Sequence, residues 1–180
     1  WTNGIIYYDI DESLADMSDV IYQAIENWNA NAPVKYEKWS NQDNYVEFIW
    51  ENDHMDSHIG MVGEKKQKIR IAKGVMYGNV MHEMGHTAGL IHEQSRVDRD
   101  KYIDYNFLNV KPFKHRNYRK LESSFVVGEY GYNSLMGYPS LGYNMAIIKS
   151  IPILTKKGTG ETWKQQRHYL SRDDVKMLEE

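Results

Sequence analysis

The sequence predicts an α+β fold, with regular elements crowded into the first half and a largely irregular second half that ends in a short helix. Three observations lead there. Short strand-like runs recur before residue 72, and a stretch with apolar residues at helical spacing lies between the first two. After residue 92 the helical and alternating periodicity fades. Composition fits one globular unit. At 180 residues the chain can bury most of its apolar surface without staples, which matters because it has no cysteine. With 41% hydrophobic and 26% charged residues it is not disordered. A net charge of −3 gives no electrostatic case for nucleic acid. No apolar run approaches the roughly 20 residues of a membrane span, and no leader-like run opens the chain, as expected of a mature, processed form.

In chain order, residues 4–10 (Gly4 then Ile5, Ile6, Tyr7, Tyr8) read as a strand. Ser18 is placed to cap a helix whose apolar positions Val20, Ile21, Ala24, Ile25 and Trp28 fall on one face. Residues 45–50 form a second strand. Residues 68–72 alternate charged and apolar, as a strand with one wet face does, and are read as the sheet edge along which an extended peptide lies. A helix follows over about 79–90. The last element is a helix near 171–180, capped by Ser171 with Asp174 three residues on. His54 and His58, with Asp53 and Asp56 nearby, have the spacing of a second metal site, but flanking Asn52, Ser57 and Gly60 favour a polar loop. The basic run Lys111, Lys114, His115, Arg116, Arg119 and Lys120 is read as a solvated face. His115 and His168 stand alone and are read as structural or exposed. Fourteen tyrosines and five tryptophans either line a peptide cleft or fill the irregular half.

The chemistry concentrates in His82-Glu83-Met84-Gly85-His86-Thr87-Ala88-Gly89-Leu90-Ile91-His92. On a helix, His82 and His86 share a face one turn apart, while Glu83 points to its side. There it reaches a metal-bound water without occupying a metal site. His92 does not fit a continued helix, so the chain must turn between the two. Gly89 is placed for that, since glycine accepts positive φ at a helix end. Three nitrogen ligands with one open position are the catalytic rather than the structural zinc pattern. This long form is the metzincin signature. A second motif, Ser134-Leu135-Met136-Gly137-Tyr138-Pro139, matches the methionine turn that metzincins carry beneath the metal, with Gly137 expected to supply an unusual backbone angle and Pro139 to stiffen the exit.

The continuation past the third histidine, Glu93, Arg96 and Asp98-Arg99-Asp100, and the Ser134, Met136, Tyr138 pattern make the chain resemble the astacin family of zinc metalloproteases. Weaker similarity covers most of the rest, from Trp1-Thr2-Asn3-Gly4 through residues 45–48 to Leu170, Ser171 and Asp174. Lack of cysteine fits a bacterial-type member better than an animal one.

The resemblance implies a two-lobed metzincin. The upper lobe is a twisted mixed sheet with two long helices, the lower lobe is largely irregular with a C-terminal helix, and the cleft lies between. Residues 1–180 are then one catalytic domain, with 1–92 as the N-terminal lobe and 93–180 as the C-terminal lobe. It implies one catalytic Zn2+ held by His82, His86 and His92, with Tyr138 as an additional, detachable phenolic ligand that stabilises the transition state. Glu83 is the general base toward a zinc-bound water. Met136 is the hydrophobic floor, and Glu93 is a structural or maturation residue in a buried polar network. Protein or peptide substrates, an inhibitory propeptide and a secreted, extracellular setting follow from the family, and a basic side chain in the substrate pocket commonly selects an acidic residue. Lys149, Lys156 and Lys157 lie in the half of the chain where such a side chain is expected. Two other readings are a catalytically silent metzincin-like binding module and a zinc amidase acting on non-peptide substrates. An intact Glu83 argues against the first, and Tyr138 with Asp98-Arg99-Asp100 against the second.

Overall fold

Ile6 and Tyr8, Val46 and Phe48, and Ile69 and Ile71 alternate with more exposed neighbours along three strands, so one face of each enters a common core. The computed structural model describes residues 1–52, 54–122 and 124–180. Its main sheet holds β1 (Ile5–Ile10), β2 (Lys35–Lys38), β3 (Tyr45–Trp50), β4 (Asp56–Ser57) and β5 (Lys66–Ile71) in the order β2-β1-β3-β5-β4. All pairings are parallel except β4 with β5, which makes the sheet mixed.

Two corrections to the sequence reading follow from that order. The strand read at 68–72 exists as β5, but it is paired on both sides and is not the edge. The edge beside the functional helix is the two-residue β4, inside the stretch read as a polar loop. Ser18 is the first residue of helix α1 (Ser18–Asn31) and caps nothing. A 3-10 segment, Glu12–Met17, runs directly into α1, so capping falls to Asp11, whose side chain accepts from Ser13 N at 3.0 Å.

Helix α1 buries Ile21, Ala24, Ile25 and Trp28, as the spacing predicts, and packs on helix α2 (Tyr77–Thr87). Helix α2 is buried at nine of its eleven positions, so its last four carbonyls need partners inside the protein. Each has one. Met84 O accepts from Tyr36 Oη at 2.7 Å, Gly85 O from Leu90 N at 2.9 Å, His86 O from Gly89 N and Gly60 N at 2.9 Å each, and Thr87 O from Trp1 Nε1 at 2.8 Å. The helix end is therefore fixed by residues from the sheet, the N-terminal segment and the loop after β4.

Gly78 sits where α2 meets the segment ahead of the C-terminal helix. A Cβ there would lie 1.7 Å from Arg167 O, which is backbone and cannot swing away. Gly78→Ala is expected to destabilise by about 1–3 kcal/mol through overpacking. That lowers Tm by several degrees, on the order of 2–4 °C per kcal/mol for a chain of this size. An unchanged thermal melt would show that the two segments separate freely.

The lower half is held by arginines rather than by long elements. Arg96 is buried, pairs with Asp98 (Nε to Oδ1 at 3.0 Å), and donates to Gly128 O and Glu129 O. Buried Arg99 donates to Gln94 O and Tyr118 O. The stretch from Arg96 to Asp100 thus satisfies the carbonyls of an irregular chain. Strands β6 (Ile103–Tyr105) and β7 (Leu154–Lys156) form a small antiparallel pair over a second cluster containing Val110, Tyr118, Tyr130 and Ile153. The tyrosines and tryptophans divide between the two halves: Trp28 and Tyr36 fill the upper core, while in the lower half Tyr105 stacks on Tyr118 at 5.3 Å and Trp163 meets the Tyr132 ring edge-on at 5.1 Å. Helix α3 (Arg172–Leu178) closes the chain with the capping box of Ser171 and Asp174 expected from sequence.

Candidate functional site

Helix α2 ends at Thr87, and Gly89 turns the chain back with φ +111°, a left-handed conformation that side chains rarely adopt. That turn brings His92 to the two helical histidines. His82 Nδ1 lies 2.9 Å from Leu135 O, and His86 Nδ1 lies 2.8 Å from Leu90 O. A carbonyl can only accept, so both Nδ1 atoms carry the proton and both Nε2 atoms present lone pairs. His92 Nε2 lies 3.1 Å from each of those Nε2 atoms.

This arrangement fits a metal. A proton on His92 Nε2 could bridge to one neighbouring nitrogen and would leave the other lone pair unmet, whereas one central cation satisfies all three. Zn–N bonds of about 2.0–2.1 Å in a tetrahedron put the nitrogens roughly 3.3 Å apart, close to the spacing seen. The two carbonyls fix tautomer and ring orientation, as outer partners of metal-bound histidines do. Burial, reinforced by neighbouring charge, pushes the protonation of His82 and His92 well below the usual range, and burial does so more mildly for His86. All three stay neutral and able to ligate. Among the described residues this is the group of three that can hold a metal ion. The His54 and His58 group does not assemble: His54 and Asp56 make an exposed 3.9 Å contact, His58 is exposed, and Asp53 lies outside the described residues.

Glu83 lines the same cleft of ≈ 320 Å³ as the histidines, together with Met55, Asp56, Ser57, Ile59 and Tyr138. Its Oε2 accepts from Ser57 Oγ at 3.0 Å, and burial pushes its carboxyl up to about 7 against that hydrogen bond. Tyr138 packs its ring 4.6 Å from that of His92, and burial raises its hydroxyl above the usual range.

The methionine turn lies under α2. Leu135 O meets His82, Met136 O accepts from Glu93 N at 3.3 Å, and the Met136 sulfur lies against Gly85. Gly137 departs from expectation. It is not among the positive-φ glycines, because the turn closes by Gly137 N donating to Ser134 O at 3.1 Å, and such turns need no left-handed residue. Asp174 of α3 braces the turn, accepting from Ser134 Oγ at 2.5 Å and Leu135 N at 2.9 Å. Glu93 is buried and accepts from Arg96 Nη1 at 3.3 Å and Gly131 N at 3.2 Å, facing the lower half rather than the histidines. Burial pushes it up to about 7.

Two residues at the site escaped the sequence reading. Ser57 has no motif around it and is found only through β4. Arg167 donates to Leu135 O at 2.6 Å and Gly137 O at 3.2 Å, so it clamps the turn, and burial holds it down to about 10. Of the three lysines named for substrate selection, Lys156 pairs with Glu161 and Lys157 with Asp104, Lys149 is exposed, and none lines the cleft.

Comparison with known proteins adds the following. The family model described as Astacin, a peptidase family, matches residues 1–180. "Astacin-like metalloprotease toxin 2" of Loxosceles intermedia is 34% identical over 77% of this chain and 55% of its own length. "Protein SpAN" of Strongylocentrotus purpuratus is 32% identical over 80% of this chain and 25% of its own length, and "Astacin-like metalloprotease toxin 5" of Loxosceles gaucho is 30% identical over 80% and 79%. The chain thus spans only about half or a quarter of the first two. Among solved structures, high choriolytic enzyme 1, a hatching enzyme zinc-protease from Oryzias latipes, superposes with TM-score 0.89 over 99% of this chain and 90% of that one, at 24% identity. That likeness bears out the α+β metzincin fold.

Proposed function

The chain belongs to the astacin family of peptidases, and from that premise we propose that it is a zinc-dependent endopeptidase whose residues 1–180 form one catalytic domain. The observation that carries the proposal is the convergence of three Nε2 atoms, with 3.1 Å from His92 to each partner, beside a buried carboxylate in one cleft. His82, His86 and His92 would hold the metal. Zinc, when bound, supplies Lewis acidity toward water and a carbonyl oxygen.

The chain's own residues do the rest. Glu83, held by Ser57 and shielded by burial, accepts the proton of the attacking water and delivers it to the leaving amine. The Tyr138 hydroxyl, free to add as a further ligand, donates to the oxyanion as it develops. Leu135 O and Leu90 O keep the two helical imidazoles oriented, while Arg167 and Asp174 hold the turn that carries Leu135. Met136 forms the floor, and Glu93 is structural. An extended substrate runs along the edge of β4, which among the described residues pairs with β5 alone, next to Glu83.

The partners proposed are protein or peptide substrates and an inhibitory propeptide, in a secreted setting like that implied for the family, and nucleic acid is not among them. No helix among the described residues is long and apolar enough to cross a membrane. The function is tested by incubating the zinc-loaded chain with denatured casein, where new amino termini should accumulate and a chelator should stop them. Tyr138→Phe should keep zinc, because three nitrogens remain, while kcat falls about 100-fold or more, the cost of losing an oxyanion donor. Zinc loss in that variant, or an unchanged kcat, would remove Tyr138 from the proposed chemistry.

A further inference from the structure

Residues 105–120 and 139–160 contain eight Lys and Arg and no Asp or Glu, although the whole chain carries a net charge of −3. The structure lays these segments side by side. Ile147 N donates to Asn109 O at 2.8 Å, Ile148 N to Asn109 Oδ1 at 2.9 Å, Asn109 Nδ2 to Ile151 O at 2.7 Å, and Lys111 N to Met145 O at 2.9 Å. Val110, Ala146 and Tyr118 are buried beneath them, so the surface is braced from below. On it Leu108 is 84% exposed and Phe113 69%, with Phe107, Ile147 and Ile148 also exposed. Exposed apolar residues scattered singly are ordinary, but a cluster of this kind marks an interaction surface.

The cations complete the pattern. Lys120, Lys156 and Lys157 are taken up by Asp100, Glu161 and Asp104, whereas Lys111, Lys114, Arg116 and Lys149 have no carboxylate within 4.0 Å among the described residues. Unpaired cations thus alternate along the chain with protruding apolar side chains. A soluble polyanion would use the cations and leave Leu108 and Phe113 unexplained. An apolar protein interface would use Leu108 and Phe113 and leave the unpaired cations unexplained.

We propose that this face of the lower lobe docks on an anionic lipid surface. The apolar tips enter the boundary between headgroups and acyl chains while the ammonium and guanidinium groups meet lipid phosphates and carboxylates. None of these residues lines the catalytic cleft, so docking leaves it open. The run read from sequence as a solvated face becomes a binding face through the neighbouring apolar tips, which lie partly on a segment distant in sequence.

The test is co-sedimentation of the zinc-loaded chain with phosphatidylcholine vesicles, with and without phosphatidylserine, at low and high salt. Binding should be about tenfold or more stronger to the anionic vesicles and should fall with salt. Leu108→Ser/Phe113→Ser and, separately, Lys111→Glu/Lys149→Glu should each reduce it several-fold, with thermal melts like that of the parent. The second pair leaves the apolar side chains in place and keeps the test decisive if the first folds poorly. Equal binding to neutral and anionic vesicles, no binding to either, or binding indifferent to both pairs overturns the proposal. Self-association that Leu108→Ser/Phe113→Ser abolishes would overturn it in favour of a second copy of the chain, and heparin retention with no vesicle binding in favour of a soluble polyanion.

Discussion

Replacing Glu83 by glutamine is expected to leave zinc bound and to lower kcat by about a thousandfold, within the range that positioned proton transfer supplies. The substitution keeps volume and keeps an acceptor for the Ser57 hydroxyl, which lies 3.0 Å from Oε2, so the cleft should not rearrange. What it removes is the proton acceptor. Glu83 contributes no atom to the group of three nitrogens, so metal content should match the wild type. Steady-state rates on a protein substrate, beside metal analysis of the same samples, check both halves. A Glu83→Gln enzyme with wild-type turnover would mean that another group takes the proton, and the nearest other carboxylate in the cleft, Asp56, would have to be reconsidered.

Replacing His92 by alanine is the second large effect, and it should remove zinc and turnover together. Changing an outer partner of a metal-bound histidine already costs about 10–100-fold in affinity. His92 carries the nitrogen shared by both 3.1 Å contacts, so its loss leaves two ligands on one helix face and, among the described residues, no third His, Cys, Asp or Glu grouped with them. Competition against a chromogenic chelator should show affinity falling by more than about 100-fold. The fold should survive, because His92 belongs to neither apolar cluster. Retention of tight zinc in the variant would mean that another side chain, Tyr138 first, completes the site.

The zinc helix, its turn at Gly89 and the return of His92 were legible because each depends on local geometry. Spacing along a helix, a left-handed glycine and a fixed offset are all written in one stretch of chain. The same holds for α1, β1, β3 and the capping box of Ser171 with Asp174. What was not legible depends on contacts between segments far apart. Alternation identified β5 but says nothing about its neighbours, so the edge was assigned to it. The edge on that side of the sheet, β4, is two residues long and shows no period at all. Ser57 therefore carried no signal, although its hydroxyl meets Glu83. Arg167 was hidden for the same reason: its partners Leu135 and Gly137 lie about thirty residues away. Ser18 and Gly137 failed differently. Each has the residue type of a cap or a turn, but a preceding 3-10 segment took the first role, and an ordinary hydrogen-bonded turn made the second unnecessary.

The central claim is that one zinc ion on His82, His86 and His92 makes this cleft a peptidase. Titrating zinc into the chelator-stripped chain while following cleavage of denatured casein tests it most directly. Cleavage should be absent at the start and rise with added metal until one equivalent per chain, then level off. Cleavage that persists in the stripped chain, or none at any zinc level, would contradict the claim.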